Sequence, residues 1–377
     1  MAGISTVDAL HVPFVDLAPS HAPLREEMLA EIGELIDSGQ FINGPQVEKF
    51  ERAFAAYCDA TYCVGLASGL DALRLALIAG GFEQGDEVIV PASTFIATFE
   101  AVSQAGGTPV PVDVREDDYN LDPDRVEEAV TTRTRFLMPV DLYGQLADMR
   151  RLREIADSER LTVIEDACQA HGARRDGAGP GAFAHAAAFS FYPGKNLGAF
   201  GDAGALVTGD VALATRVCAL REHGQQAKYH HAEPGYTARL DTIQALVLLK
   251  KLPQLAAWTE ERRSVAALYS AELAGVGDIV LPPVAKDSEP VWHLYVLRTA
   301  DPSALADFLA ERGIGTGRHY PEPIHLSRAY ASLGYTVGQF PVSERLAKEA
   351  LSLPLFAGMQ EEQVDRVVRA VRDYFSG

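Results

Sequence analysis

The sequence predicts an α/β protein built on a mostly parallel sheet, and three observations carry that prediction. Between residues 86 and 190, short apolar runs alternate with longer segments of helical spacing. The apolar runs are near-continuous and end in small or polar residues, as in strands covered by helices on both faces. At 377 residues the chain is too long for one small core. A large domain over residues 1–250, with an N-terminal arm, and a smaller α+β domain over residues 251–377 are therefore expected.

Residues 1–20 read as the arm, anchored by VPFVDL at residues 12–17. Helical spacing follows over residues 22–37 through Leu24, Met28, Ile32, Leu35 and Ile36. Asn43-Gly44-Pro45 is a turn, and a second helix runs to Tyr57. The short apolar run TYCVGLAS leads to Ser68-Gly69, which opens a helix carrying Leu70, Leu73, Leu75 and Leu77. DEVIVPAS (86–93) is then a strand, TFIATFEAVSQAGG a helix closed by glycines, TPVPVDV a strand and PDRVEEAVTTRT a helix. FLMPVDLYG is a strand, DMRRLREIADSE a helix, LTVIEDA a strand, and AAAFSF a strand that stops at Pro193-Gly194. GDAGALVTGD (201–210) is expected as a hairpin or edge strand, before an irregular stretch ending in GYTARL. One long helix is expected from Asp241 to about Leu273. VWHLYVLRT then forms a strand, PSALADFLAERG a helix and HYPEPIHL a loop, with helices over SERLAKEALSL and EEQVDRVVRAVRDYF.

The formal charge of -19 argues against nucleic acid as a partner, because that binding needs a basic footprint. The four cysteines are scattered, and Cys58 and Cys63, with no second pair or histidine ligands beside them, read as core thiols rather than a zinc site. No signal pattern or membrane-length apolar run stands in the sequence, so a cytoplasmic protein that touches no membrane is expected.

In a parallel sheet, ligands gather at the carboxyl ends of the strands. Ser93, Asp141, Asp166 and the turn bearing Lys195 fall there. A lysine held at the mouth of a core can lose its charge and become a nucleophile, whereas a plain surface turn is the other reading. Ser68-Gly69-Leu70 offers free N–H groups at a helix start, fit for a phosphate or simply an N-cap. Asp166 could keep a pyridinium nitrogen protonated or merely cap a turn. Ser190, five residues before Lys195, could give its hydroxyl to the same phosphate, and Phe95 could stack on a ring or fill the core. Together these residues suit pyridoxal 5'-phosphate with Lys195 as its Schiff-base lysine. A nicotinamide site finds no G-x-G-x-x-G after a strand.

SGLDALRLAL, GDEVIVPASTFIAT, PVDLYGQLADM, VIEDACQAHGA, FSFYPGKNLGAFGDAGALVT and GYTARLDTIQA, in this order, resemble the motifs of the DegT/DnrJ/EryC1/StrS family. The resemblance covers roughly residues 12 to 375 and implies fold type I, the aspartate aminotransferase architecture. It implies a homodimeric, pyridoxal-phosphate-dependent sugar aminotransferase passing through pyridoxamine phosphate, with L-glutamate (or glutamine) as donor. The wording SGLDALRLAL resembles most the branch that aminates C-3 of dTDP-3-keto-6-deoxyhexoses, making a keto sugar nucleotide the expected substrate. By the same resemblance Lys195 and Asp166 are catalytic, and Gly69, Leu70 and Ser190 hold the phosphate. Phe95 stacks on the ring and Gln169 meets its hydroxyl side. Relatives that dehydrate carry histidine at the position of Lys195, so lysine favours amino transfer.

Two positions depart from the family pattern. GYTARL places Thr237 where asparagine usually crosses to the other subunit's phosphate, and PVDLYG places Asp141 where histidine is usual. The second departure raises the reading of a 4-keto sugar nucleotide or a cyclitol as substrate. A non-catalytic, cofactor-binding regulator is a rival that the intact Lys195 and Asp166 count against. Asn43, His319, Tyr320 and His325, from the loops QFING and RHYPEPIHL, could meet the sugar or its diphosphate, or be ordinary loop residues.

Overall fold

In the computed structural model, which describes residues 11–377, a seven-stranded sheet forms the centre of the chain. Its elements, in order, begin with helices α1 (Arg25–Ser38) and α2 (Pro45–Tyr57), then strand β1 (Tyr62–Leu66) and helix α3 (Gly69–Ala79). There follow β2 (Glu87–Pro91), α4 (Ala97–Ala105), β3 (Thr108–Val112), α5 (Pro123–Ala129), β4 (Thr134–Leu137), α6 (Met149–Glu159) and β5 (Thr162–Asp166). The sheet is completed by β6 (Ala186–Ser190) and β7 (Gly204–Thr208). Strand order is β1-β7-β6-β5-β4-β2-β3. The five strands from β6 to β3 are parallel; β7 alone runs antiparallel to them, and β1, antiparallel to β7, runs in their direction. This is the α/β, mostly parallel arrangement expected.

Continuous apolar strands form here because both faces are covered. Val88, Val90, Ala186, Ala188 and Leu206 pack with α3 residues Ala72, Leu73 and Leu77 on one face. Their neighbours Ala187, Phe189, Ala205 and Val207 pack with Phe50 and Phe54 of α2 on the other. Alternate residues of a strand point to opposite faces, so each strand feeds two cores.

Four differences from the expected elements have local causes. The GDAGALVTGD strand is interior, with β1 at the edge, because β1 pairs along all of β7. Helix α7 (Val211–Arg221) was not expected; Asp210 caps it through the N–H groups of Ala212 and Leu213. Its apolar residues make no clean one-sided stripe, which hides it from periodicity. The single long helix is two, α8 (Thr242–Lys251) and α9 (Leu255–Leu273), separated by a 3-10 turn at Pro253. Finally, β8 (Tyr295–Arg298) and α10 (Pro302–Ala310) precede α11 (Pro341–Glu349), which stops before ALSL. Those four residues form β9 (Ala350–Leu353), antiparallel to β8, and α12 (Glu361–Ser376) closes the chain.

A further core joins Tyr269 of α9 with Tyr295, Leu305, Leu353 and Val367, and includes Val12. Val12 pairs with the backbone of Gly313 and Gly315, so part of the expected arm is built into the C-terminal elements. The first ten residues of that arm lie outside the described residues. No helix among the described residues is long and apolar enough to cross a membrane.

Candidate active site

The carboxyl ends of β2, β5 and β6 open onto one cavity of about 580 Å³. Ser68, Gly69, Leu70, Phe95, Asp166, Gln169, Ser190, Lys195, His319 and Tyr320 line it together. Ten residues spread over 253 positions of sequence thus meet at one place.

Lys195 stands after the turn Tyr192-Pro193-Gly194, where its N–H donates to the Tyr192 carbonyl at 2.8 Å. Its side chain is half-buried, and desolvation pulls its pKa below the ordinary lysine value, partly opposed by Cys168 and Asp166. Asp166 ends β5 and is fixed from two sides. Thr98 Oγ1 donates to Asp166 Oδ2 at 2.8 Å, and the Cys168 N–H donates to Oδ1 at 3.3 Å. Burial pushes the Cys168 thiol well up, so it stays neutral beside the lysine.

Helix α3 starts against the strands at van der Waals limits. A β-carbon at Gly69 would stand 2.7 Å from Cys168 Sγ and 2.8 Å from Ser190 Cβ, and one at Gly204 would lie 2.3 Å from the Ser68 carbonyl. Glycine at both positions therefore lets the helix start sit beside Ser190. Ser68 caps the helix by accepting from the Asp71 N–H at 3.0 Å, leaving the Gly69 and Leu70 N–H groups as the helix's unpaired donors. The N-cap and phosphate readings of this segment are therefore compatible.

Phe95 is 51% exposed, unlike a core phenylalanine, and its ring lies 5.5 Å from that of Tyr320 across the cavity. Gln169 Oε1 accepts from the Tyr143 N–H at 2.8 Å, and its Nε2 donates to the Tyr320 hydroxyl at 3.3 Å. Tyr143 in turn donates its hydroxyl to the His319 carbonyl. Burial holds the His319 pKa down at about 4, so its imidazole is neutral near pH 7.

The chain does not bring every expected residue here. His325 is 1% exposed, packed edge-on against Phe340 and 3.4 Å from Glu344 Oε1, away from the cavity. Asn43 donates to Glu222 Oε2 at 3.1 Å in an open groove beside α7. Thr237 lies 3.4 Å from His223 Nε2, also outside the cavity. Asp141 is 0% exposed and points into the protein, accepting from the Ala147 N–H at 3.0 Å. Ser93 is buried beside the cavity lining supplied by Thr94 and Phe95. Conversely, Thr98, His293 and Arg262 were not singled out from sequence. Thr98 is the second residue of α4, Arg262 comes from α9 and His293 from the approach to β8, so no local spacing marks them.

A phosphorylated pyridine aldehyde fits these residues. The helix start, tightened by two glycines, suits its phosphate, the anchored carboxylate suits its ring nitrogen, and the lysine suits its carbonyl. Fold and site thus define a pyridoxal-phosphate-dependent enzyme of fold type I. Comparison with known proteins narrows this. The DegT/DnrJ/EryC1/StrS aminotransferase family model matches residues 23–372, and the chain belongs to that family. It is 50% identical over 370 residues to a dTDP-3-amino-3,4,6-trideoxy-alpha-D-glucose transaminase of Streptomyces venezuelae, covering 98% of each chain. Among solved structures it resembles S. venezuelae DesV in complex with a ketimine intermediate, with a TM-score of 0.95 at 50% identity. That likeness covers 97% of this chain and 99% of the other. It also resembles NtdA of Bacillus subtilis with bound cofactor PMP, with a TM-score of 0.91 at 32% identity over 97% of this chain and 86% of that one. The protein is an aminotransferase, and its cofactor is pyridoxal phosphate.

Proposed function

We propose that this aminotransferase moves the amino group of L-glutamate to the C-3 ketone of a dTDP-linked 3-keto-6-deoxyhexose, as a homodimer. The observation that carries the reaction type is the placing of Lys195 and Asp166 in one cavity with the start of α3. The sugar rests on the 50% identity to a dTDP-sugar 3-transaminase over nearly the whole chain. Asp141 lies outside the cavity, so its departure from the family pattern gives no support to another sugar carbon. A division of the chain near residue 250 is supported by the separate core around Tyr269 and Tyr295.

Pyridoxal phosphate, when bound, supplies the electron sink that makes the donor's Cα–H acidic. The protein's share is binding, orientation and proton handling. The Gly69 and Leu70 N–H groups and the Ser190 hydroxyl, all in the cavity lining, would hold the phosphate dianion. Asp166, held by Thr98 and the Cys168 N–H, would keep a proton on the pyridine nitrogen. Lys195 Nζ is the nucleophile, and its lowered pKa raises its neutral fraction. The same nitrogen, when neutral, would take the proton from the donor's Cα and return it to the acceptor carbon. Phe95 and Tyr320, whose rings lie 5.5 Å apart in the cavity lining, would cover the ring and exclude water. A cross-subunit role for Thr237 is supported by its position outside its own chain's cavity, and Asn43 stands outside that cavity too.

The purified protein is expected to be yellow and to bleach with glutamate, and Lys195→Ala to lose turnover while still binding pyridoxamine phosphate. Turnover of a 4-keto but not a 3-keto sugar nucleotide, assayed side by side, would falsify the C-3 assignment. A colourless protein that stays so with added pyridoxal phosphate would sink the reading altogether.

A further inference from the structure

We propose that Asp141 and Glu165 share one proton beneath the floor of the cavity and together act as positioning residues for Asp166. Both carboxyl groups are taken out of water, at 0% and 1% exposure. Each uses one oxygen on the backbone: Asp141 Oδ1 accepts from the Ala147 N–H at 3.0 Å, and Glu165 Oε2 from the Gly181 N–H at 2.6 Å. The remaining oxygens, Asp141 Oδ2 and Glu165 Oε1, have no other donor. The parallel bridge between Val140 and Asp166 sets the Asp141 and Glu165 side chains on the same face of adjoining segments, where their two free oxygens can hydrogen-bond only to each other. Two carboxylates cannot make that bond; one proton between two acids can.

The groups facing the pair are all acidic or neutral. Asp166 lies against both carboxyls, Cys168 near Asp141 and Cys58 near Glu165, and no arginine or lysine among the described residues pairs with either. Burial, with this like-charge company, drives both acids upward and retains the proton at neutral pH. The pair reaches Asp166 through the chain. Glu165 is its neighbour, the Asp141 N–H donates to the Asp166 carbonyl at 3.0 Å, and the Asp166 N–H donates to Pro139 at 2.9 Å. Joining the two acids locks the end of β5 to the segment after β4. It also leaves one negative charge, rather than two, behind the carboxylate that serves the pyridine nitrogen. The effect on Asp166 rests on the cofactor assignment, whereas the shared proton does not.

The test has two arms on the holoenzyme. In the infrared difference between the parent and an Asp141→Asn, Glu165→Gln double variant at pH 7, the parent should show one protonated carboxyl band, shifted in D2O, and one carboxylate band. Two carboxylate bands, or two protonated ones, would overturn the shared proton. In the second arm pyridoxal phosphate is titrated into the apo form of each variant. Asp141→Asn keeps a donor toward Glu165 and should bind within about twofold of the parent, whereas Asp141→Ala leaves Glu165 unsatisfied and should bind about tenfold more weakly. Asp141→Ser gives the same comparison if the alanine variant does not fold. Equal affinities across the series would remove the positioning role while leaving the aminotransferase assignment intact.

Discussion

Thr98 shows how much of this site hangs on single atoms. Its hydroxyl donates to Asp166 Oδ2 at 2.8 Å and also bonds Thr94 Oγ1 at 2.8 Å, so it orders a carboxylate that would otherwise turn. A hydrogen bond to a charged group contributes about 1.5–3 kcal/mol. Thr98→Val should therefore weaken cofactor binding roughly 10- to 100-fold with little change in melting temperature, as read by titrating the apo protein. His171 makes a second case. It is fully buried against Phe189 and Phe191, neither ring nitrogen has a partner, and burial and then Lys195 push its pKa down to about 3. The native state refuses a proton that the unfolded state accepts below about pH 6.5, so its stability is full above that pH and falls toward pH 3. His171→Phe should flatten the acid limb of a melting-temperature profile; an unchanged limb would count against this assignment.

At the scale of elements, the start of α3 and the Lys195 turn have separate supports. Gly69→Ala would drive a methyl group into Cys168 and Ser190, pushing the helix start off the strands. The expected outcome is a loss of phosphate affinity, with pyridoxal phosphate binding falling more than that of dephosphorylated pyridoxal. The turn is tied from behind by Lys251, a buried residue of α8 whose ammonium donates to the Gly198 carbonyl and lies 3.0 Å from His21 Nε2. Burial lowers the Lys251 pKa to about 8. Its folded value lies below the unfolded value of about 10.4, so the native state gains stability as pH rises from 8 to about 10. Lys251→Met should lack that rise in melting temperature. Its slower turnover at unchanged melting temperature would identify the turn, rather than the fold, as what Lys251 holds.

For the whole molecule, the decisive prediction is assembly. Asn43 and Thr237 stand outside the cavity of their own chain, which the proposed homodimer explains if a second copy brings them to its partner. Light scattering should give a dimer. Mixing Lys195→Ala with a Thr237→Ala variant should restore part of the activity, because one of the mixed dimer's two sites then carries neither change. No restoration in mixed dimers would place Thr237 at its own chain's site, and an undiminished Thr237→Ala variant would place it outside catalysis.

Much of this was legible in the residues. The apolar runs around Val88–Val90 and Ala186–Phe189 announce buried parallel strands, because strands covered on both faces need no polar alternation. Pro193-Gly194-Lys195 after such a run, Asp166 at the end of another and Ser68-Gly69 before a helix are local patterns, and short-range sterics and capping produce them. What the sequence could not decide is which distant groups meet. The burial of Asp141 against Glu165, the retreat of His325 to Glu344 and the arrival of Thr98 at Asp166 depend on strand order and helix docking. Those are contacts between residues far apart in the chain, where local periodicity carries no information. The residues proposed to react can therefore be read from the sequence, while the neighbours that set their charge and orientation are decided by the packed sheet.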